Sequence, residues 1–396
     1  RSRRQRQMCI RDSLYTIPRS LTGSGVRETL RYIKKIIPID IKKVKSGTKV
    51  FDWVVPEEWN IKSAYIIEKE TGKKIIDFNN HRLHIMGYSK AINCEMTYED
   101  LVPKLYFLKD QPDAIPYVTS YYKKDWGFCL SYNEFKKLKK LSNYIVHIDS
   151  SFNPDGFLNY GELLIPGEKK EEILFSSYIC HPQMVNNELS GPSVLTGIAN
   201  YLLNRNNYYS YRFVLIPETI GSITYISKNL KRLKELVKGG YNITCVGDER
   251  DWGLVPSRYG NNISDEIAEH ILKHNVTKYT KYSWLDRGSD ERQYCAPGVD
   301  LPISSITRTK YGMYPEYHTS LDDFNVVTAK GLAQSLEVYI KCVKVFELNK
   351  NIKPKIKVYG EPQLGKRGLY PNISTKTSAN QVKNMMNFIS YCDGNN

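Results

Sequence analysis

Four side chains of types that bind metal ions each follow an apolar, strand-like run of the sequence. Imidazole nitrogens and carboxylate oxygens are common protein ligands of zinc, and a catalytic zinc site keeps one position open for water. Such a site generates hydroxide and polarises a carbonyl, and a remaining carboxylate serves as general base. The four side chains are His181 one residue after EILFSSYI, Glu218 after YRFVLIP, Asp248 after YNITCVG, and His318 in YPEYHTSLDD, the loop after LPISSIT.

The elements that position these side chains form an alternating pattern of strands and helices from about residue 130 onwards. This pattern predicts an α/β fold with a mostly parallel sheet and helices on both faces. Ligands bind at the carboxyl ends of the strands in such sheets, so the four side chains are expected at one edge. Taken singly, a histidine after a strand is more often a loop or core residue, and an acid there is usually a helix cap. Their recurrence at one topological position favours a metal site.

Polar residues in three further loops are expected near the same edge. Asn187 and Glu188 follow His181 on the loop that opens the next helix, and both are candidate metal ligands. Tyr317, beside His318, offers a phenol to a developing oxyanion, although a packed aromatic residue is an equal alternative. The segment DRGSDERQY, which could also be a surface turn, supplies candidate substrate-binding residues: Arg287, Ser289 and Asp290.

Pattern changes along the chain indicate several parts. Short strand-like runs with turn signals follow the first helix, which predicts a small β-rich domain inserted into the α/β domain. The opening RSRRQRQMCIRDS has no periodicity, and we take it as a non-native tail. The parts are the tail at 1–13, the first helix of the α/β domain at 14–37, the inserted domain at 38–125, the α/β domain at 126–350, and a less regular C-terminal segment at 351–396.

Composition narrows the classes of function. The net charge is +15, but the excess is spread over lysine-rich helices without interleaved aromatic residues, so we expect solvated helix faces and no nucleic-acid surface. No apolar run approaches the roughly 20 residues of a membrane-spanning helix. The eight cysteines contain no CxxC pair, which is typical of reduced thiols in a cytoplasmic protein.

Several long motifs resemble a known family. The stretches GTKVFDWVVPEEWN, PDAIPYVTSYYK, CHPQMVNNELSGP, PETIGS, LDRGSDERQYC and GEPQLGKRGLYP resemble bacterial aminopeptidase-like proteins known as polysaccharide-biosynthesis proteins. These lie within the superfamily of zinc aminopeptidases, glutamate carboxypeptidases and transferrin receptors. The resemblance implies a phosphorylase/hydrolase-like α/β peptidase domain carrying an inserted β domain. It also implies a winged-helix module, which we expect to follow residue 396.

The same resemblance assigns roles to residues. His181 and His318 would be the terminal ligands of two zinc positions, Asp248 an acid ligand of one zinc, and Tyr317 a neighbour of the scissile carbonyl. Two positions depart from the superfamily pattern. Asn187 stands where a bridging aspartate is usual, and Glu218 is a single acid where two adjacent acids are usual.

These departures remove two carboxylates from a two-zinc site. An amide oxygen binds zinc weakly and cannot balance two dications. Glu188 would therefore have to swing in, or only one metal binds. One zinc held by His181, His318 and either Asp248 or Glu188 is a reasonable site, as is a two-zinc site in which Glu188 takes part.

The sequence thus predicts a zinc-dependent aminopeptidase-like hydrolase acting on a small peptide or an amide-bearing sugar, with Glu218 as the base. The rival is a catalytically degenerate peptidase fold that acts as a binding or scaffold protein in cell-surface polysaccharide biosynthesis. A third class, a DNA-binding regulator, would depend on the C-terminal module. A homo-oligomer is left open, and no membrane partner is expected.

Overall fold

The structure, a computed structural model, describes residues 13–120, 123–349, 363–369 and 378–390. The expected tail therefore lies outside the described residues except for Ser13. The chain divides into two compact units with the boundary after Val343. No helix within the described ranges is both long enough and apolar enough to cross a membrane.

The strands of the described ranges all lie in the first unit and form two main sheets and two small ribbons. Their bounds are β1 Asp40–Lys45, β2 Lys49–Val50, β3 Trp53–Val54, β4 Glu58–Glu68, β5 Lys73–Asp77, β6 Ile92–Thr97, β7 Leu105–Tyr106, β8 Phe128–Cys129, β9 Asn143–Asn153, β10 Phe157–Ile165, β11 Glu172–Tyr178, β12 Ser210–Ile216, β13 Val237–Asn242, β14 Gly253–Val255, β15 Thr280–Lys281 and β16 Ile303–Thr307.

The helices of the described ranges vary from single turns to 20 residues. Their bounds are α1 Ser24–Lys34, α2 Tyr98–Leu101, α3 Tyr132–Phe135, α4 Ser190–Leu202, α5 Ile220–Leu236, α6 Ile263–Asn275, α7 Glu291–Tyr294, α8 Ala329–Leu348 and α9 Ser378–Ser390, with 3-10 turns at Arg82–His84, Val102–Lys104, Trp284–Asp286 and Gly365–Arg367 and a π turn at Val185–Leu189.

An eight-stranded mixed sheet in the order β1-β10-β12-β11-β13-β16-β14-β15 carries the site. Its central strands β12, β11, β13 and β16 are parallel to one another. Every residue of β11 and β12 is buried, as expected for strands covered on both faces. Helix α1 packs against β10, α4 against β11, and α6 against β13 and β16. The predicted α/β fold with a mostly parallel central sheet is confirmed.

The second main sheet is antiparallel, in the order β5-β4-β9-β6. The insert was expected at 38–125, but its sheet includes β9 at Asn143–Asn153, while β1 at Asp40–Lys45 pairs with β10 in the large sheet. The expected boundary at 125 therefore has to move beyond β9. Residues 143–149 alternate between half-buried and buried, which is the pattern of a strand with one buried face. The lysine-rich run at 136–141 forms no helix, because the single turn α3 ends before it at Phe135.

Close packing at the start of α4 gives a first prediction, for Gly191→Ala. A Cβ atom at Gly191 would lie 2.3 Å from Ser177 Oγ and 2.4 Å from the Ile243 carbonyl oxygen. We expect the variant to lose about 3 kcal/mol of unfolding free energy in urea titrations, the upper end of the usual range for overpacking, because the contact with the Ile243 carbonyl forces a backbone shift. Gly72→Ala is the control: its φ is +66° and its Cβ would meet no atom within 4 Å. It should lose only the roughly 1–2 kcal/mol of left-handed strain, and an equal loss in both variants would contradict the packing argument.

Candidate functional site

Four of the predicted residues lie together at the carboxyl edge of the large sheet. His181 follows β11, Glu218 follows β12, and His318 lies on the loop after β16. His181 Nε2 lies 3.6 Å from Glu218 Oε2, and the rings of His181 and His318 are 5.3 Å apart. The Tyr317 ring stacks on His318 at 3.9 Å. The structure therefore brings together two imidazoles, one carboxylate and one phenol.

The inserted part of the chain contributes Tyr117, which the sequence reasoning missed. Its ring contacts the rings of both His181 and His318, at 5.1 and 5.2 Å. Its backbone N–H donates to the His318 carbonyl oxygen at 2.8 Å, and Pro116 forms a β-bridge with Thr319. The only signal in the sequence was that Tyr117 lies in PDAIPYVTSYYK, one of the stretches that carried the family resemblance.

His181 is oriented by a buried carboxylate. Glu188 Oε2 accepts a hydrogen bond from the His181 backbone N–H and contacts His181 Nδ1, both at 3.0 Å. Burial opposes protonation of His181, but its contacts with Cys180, Tyr117 and Glu188 raise the pKa of His181 well above its usual value, so an ion bound at Nε2 would have to displace a proton. Because Nδ1 is engaged with Glu188, Nε2 is the nitrogen that faces Glu218.

His318 differs in its charge state. Burial, together with the neighbouring His181, lowers the pKa of His318 to about 3. The imidazole is therefore neutral at neutral pH and keeps a lone pair for a ligand.

Cys180, His181 and Glu188 form a compact group whose ligand atoms lie within 4.8 Å of one another. Arg19, which the sequence reasoning also missed, lies against this group, with its Nε 3.2 Å from Glu188 Oε1. Burial raises the pKa of the Cys180 thiol to about 11, so the sulfur stays protonated. With a cation already paired to Glu188 and a neutral thiol, this group is poorly suited to a metal ion.

Asp248 has a different environment from the one predicted. Its Oδ1 accepts from the Arg250 backbone N–H and the Thr309 hydroxyl, both at 2.8 Å. Its Oδ2 accepts from the Thr309 backbone N–H at 3.0 Å and from Asn186 Nδ2 at 3.2 Å. Four donors occupy the four lone-pair positions of the carboxylate. The predicted role as a metal ligand does not fit these bonds, because Asp248 here ties three loops together.

Asn187 is also engaged within the protein. Its Oδ1 accepts from the Tyr178 hydroxyl at 2.8 Å, and its Nδ2 is buried without a hydrogen-bond partner. Its backbone N–H, like that of Asn186, donates to Asp322, at 2.8 and 2.6 Å respectively. The side chain carries no charge and its oxygen is already bonded, so it does not replace a bridging carboxylate. Asp322 is a further residue that the sequence reasoning missed, although it lies four residues after His318.

Part of the segment DRGSDERQY lies at the site, and part of it is exposed at the surface. The Ser289 side chain hydrogen-bonds to Glu218. Asp290 Oδ1 accepts from the Thr219 backbone N–H at 2.8 Å, while its Oδ2 is buried without a partner. Burial and the nearby Glu218 raise the pKa of Asp290 to about 7. Arg287, in contrast, is exposed, with its guanidinium 5.0 Å above the Trp284 ring.

Unusual backbone angles mark the loops of the site. Gln183, Thr219 and His318 have φ values of 45°, 62° and 56°. Non-glycine residues rarely adopt these values, and the strain of order 1–3 kcal/mol each persists where surrounding contacts impose it. All three lie on or within two residues of His181, Glu218 and His318. The tertiary structure thus holds these loops in fixed conformations.

The donors that remain suit one zinc ion better than two. His181 Nε2 and His318 offer nitrogen ligands to zinc, and the Glu218 carboxylate can serve either as a further ligand or as a base, but not as both. Asp248 is saturated with hydrogen bonds, Asn187 is neutral, and Glu188 is paired with Arg19. Asp248, Asn187 and Glu188 therefore do not supply the free carboxylates that would balance a second dication.

Comparisons with known proteins agree with the fold. The family model "Domain of unknown function (DUF4910)" matches residues 9–349, and a model of a winged helix-turn-helix matches residues 351–396. The second match lies in the C-terminal segment itself, whereas the sequence analysis expected the winged-helix module to follow residue 396.

A curated relative from Clostridium acetobutylicum, a crystal structure from the same organism and the structure of a zinc enzyme are among the similar proteins. A candidate polysaccharide biosynthesis protein with an aminopeptidase-like domain is 46% identical over 362 residues, covering 91% of this chain and 81% of the relative. A crystal structure of a candidate peptidase is 42% identical, with a TM-score of 0.87 and coverage of 98% and 93%. A zinc aminopeptidase from Bacillus subtilis has a TM-score of 0.62 at 11% identity, with coverage of 87% and 94%, and shows the same fold.

Proposed function

The chain belongs to the DUF4910 family, whose fold here is aminopeptidase-like, and from that premise we propose that it is a zinc-dependent hydrolase with a single metal position. The observation that carries the proposal is the convergence of His181, Glu218 and His318, with 3.6 Å between His181 Nε2 and Glu218 Oε2. These donors lie at the strand ends where ligands bind in α/β sheets.

The residues at the site have separate chemical roles in this proposal. Zinc, when bound by His181 and His318, would supply a Lewis acid for the substrate carbonyl and lower the pKa of a coordinated water. Glu218 is the base. Burial raises its pKa, which moves a carboxylate towards the range where it accepts and returns a proton efficiently. We assign the donor to the oxyanion to the phenol of Tyr317, which stacks on His318.

We propose that the substrate is a small peptide or an amide-bearing sugar with a free amine. Glu218 and the fully buried Asp290 are neighbouring acids at the site. Two acids close together attract a positive charge, and a substrate ammonium would supply it on the side where Glu218 is partly exposed. The name of the C. acetobutylicum relative, which refers to polysaccharide biosynthesis, supports testing amino sugars. The six unpaired cysteines among the described residues suit a reducing compartment such as the cytoplasm.

The proposal predicts about one zinc per chain after loading and dialysis. His181→Ala and His318→Ala should each lose the metal and the hydrolysis of aminoacyl and N-acyl-sugar substrates, because each removes a nitrogen ligand. The measurement is metal content by mass spectrometry together with turnover. His147→Ala, on β9 of the small sheet, is the control and should keep both. If neither zinc, cobalt nor manganese can be loaded onto the native chain, the hydrolase proposal fails and a binding or scaffold role takes its place.

A further inference from the structure

Arg19 is a buried cation that reaches the site from the segment before α1. Its side chain has no exposed surface. The segment can lie close to α1 because residue 25 is glycine: a Cβ there would be 2.3 Å from the Pro18 carbonyl oxygen and 3.0 Å from Arg19 Cα. Arg19 Nη1 donates to the Leu14 carbonyl oxygen at 2.6 Å, which fixes the guanidinium from the side away from the site.

The other side of the guanidinium contacts the loop that carries His181. Arg19 Nε donates to the His181 carbonyl oxygen at 3.0 Å and lies 3.2 Å from Glu188 Oε1. Glu188 Oε2 in turn contacts the backbone nitrogen and Nδ1 of His181, both at 3.0 Å. Arg19 and Glu188 thus hold both the main chain and the ring of His181.

The buried negative charge of Glu188 is the reason why an arginine is needed at position 19. Glu188 has no exposed side-chain surface, and a buried carboxylate is tolerated only when it is paired. Arginine stays charged under all ordinary conditions and carries several donors in a rigid plane. The positive charge of Arg19 therefore always balances the negative charge of Glu188, so the carboxylate does not need a metal ion.

We propose that Arg19 is a positioning residue of the metal site, a fixed cation that stands in for a second metal ion. It keeps Glu188 as the hydrogen-bond partner of His181 Nδ1, which leaves His181 Nε2 for the single ion. Carboxylates that orient a metal-binding histidine raise its affinity for the ion. This inference rests on the proposed function, because it concerns the same metal position.

The test compares zinc affinity in two doubly neutral variants of the full chain. Arg19→Met/Glu188→Gln removes both charges at the site without leaving either one unpaired. Arg212→Met/Glu172→Gln removes one charge of each sign from a buried network between β12 and β11, where Arg212 Nη2 donates to Glu172 at 2.7 Å, and it leaves Arg232 and Glu162 of that network paired with each other at 3.5 Å. Glu172 begins β11 and His181 follows its other end, so the control pair is remote from the site. Zinc affinity is measured by competition with a chromophoric chelator, and stability by thermal unfolding of the zinc-free protein.

We expect native protein to bind one zinc and Arg19→Met/Glu188→Gln to bind it about 10–100-fold more weakly. The control variant should unfold at a lower temperature but keep the native zinc affinity. Arg19→Met alone should lower the unfolding temperature more than the double variant, because it leaves Glu188 buried and unpaired.

Three results would overturn the inference. Two zinc ions per native chain would show that Arg19 does not stand in for a metal, and native zinc affinity in Arg19→Met/Glu188→Gln would show that the pair does not position His181. Both results leave a zinc hydrolase intact. A native chain that binds no zinc removes the proposed function and this inference together.

Discussion

Glu218→Gln is expected to lower kcat/KM by about 10²–10⁴-fold, the usual contribution of a general base, while the zinc content stays at its native level. The amide has the shape of the carboxylate but cannot accept the proton of the attacking water. The backbone N–H of residue 218 donates to Cys180 Sγ at 3.2 Å, and the substitution leaves that bond in place. The fold should therefore be retained, as judged by the unfolding temperature.

The pH profile gives a second readout of the same residue. Burial raises the pKa of Glu218 above that of an ordinary glutamate. Because the base works only when it is deprotonated, kcat/KM in native protein should rise with pH through this raised pKa, above the usual value near 4.3. The residual kcat/KM of Glu218→Gln should not show this rise with pH.

Glu249→Gln is the matched control for the substitution. Glu249 is paired with Lys330 and accepts a hydrogen bond from Thr328, so its removal should leave kcat/KM within about twofold, since surface pairs of this kind contribute little. Retained turnover in Glu218→Gln would place the base elsewhere. Joint loss of zinc and turnover would identify Glu218 as a metal ligand instead.

The residues that sequence analysis located are those attached to regular elements. Each of the residues His181, Glu218 and His318 follows a strand. The apolar sequence of these strands predicts that they are buried, and the parallel topology brings their ends to one edge of the sheet. Asp248 also follows a strand, so its place at the edge of the sheet could be predicted, but its hydrogen bonds could not. Its four donors come from three loops, and no local pattern in the sequence predicts their geometry.

The residues that sequence analysis missed come from irregular segments far away in the chain. Arg19 lies 162 positions from His181 in a turn without periodicity, and Tyr117 enters from the inserted part of the chain. A single arginine or tyrosine in such a segment is usually a surface residue, so burial becomes evident only when the tertiary structure is known. The boundary of the insert was misplaced for a related reason, because β9 follows a lysine-rich run that resembles a helix of the α/β domain.

Asp322→Ala should give the largest loss of stability among single substitutions in the loops of the site, about 3–5 kcal/mol. Asp322 is fully buried and accepts from the backbone N–H groups of Asn186 and Asn187 and from the Tyr314 hydroxyl, the last at 3.2 Å. Truncation leaves two buried backbone donors without an acceptor, at a cost of about 1–3 kcal/mol each, and it also removes the acceptor of the Tyr314 hydroxyl, which keeps only its contact with Cys245 Sγ at 3.8 Å. Urea unfolding monitored by circular dichroism measures the loss.

The neighbouring substitution Asp323→Ala is the control, because it tests whether any substitution in this loop lowers the unfolding free energy. The Asp323 carboxylate accepts hydrogen bonds from the backbone N–H and the side-chain Nδ2 of Asn325, at 2.8 Å and 3.1 Å, and Asp323 is partly exposed. Its removal should cost about 1 kcal/mol or less. Asp322→Asn should fall between the two, because one amide oxygen can still accept while the amide N–H₂ faces a backbone donor. Equal losses in Asp322→Ala and Asp323→Ala would mean that the turn at 185–189 is held by packing, and that its two amides do not depend on the Asp322 carboxylate.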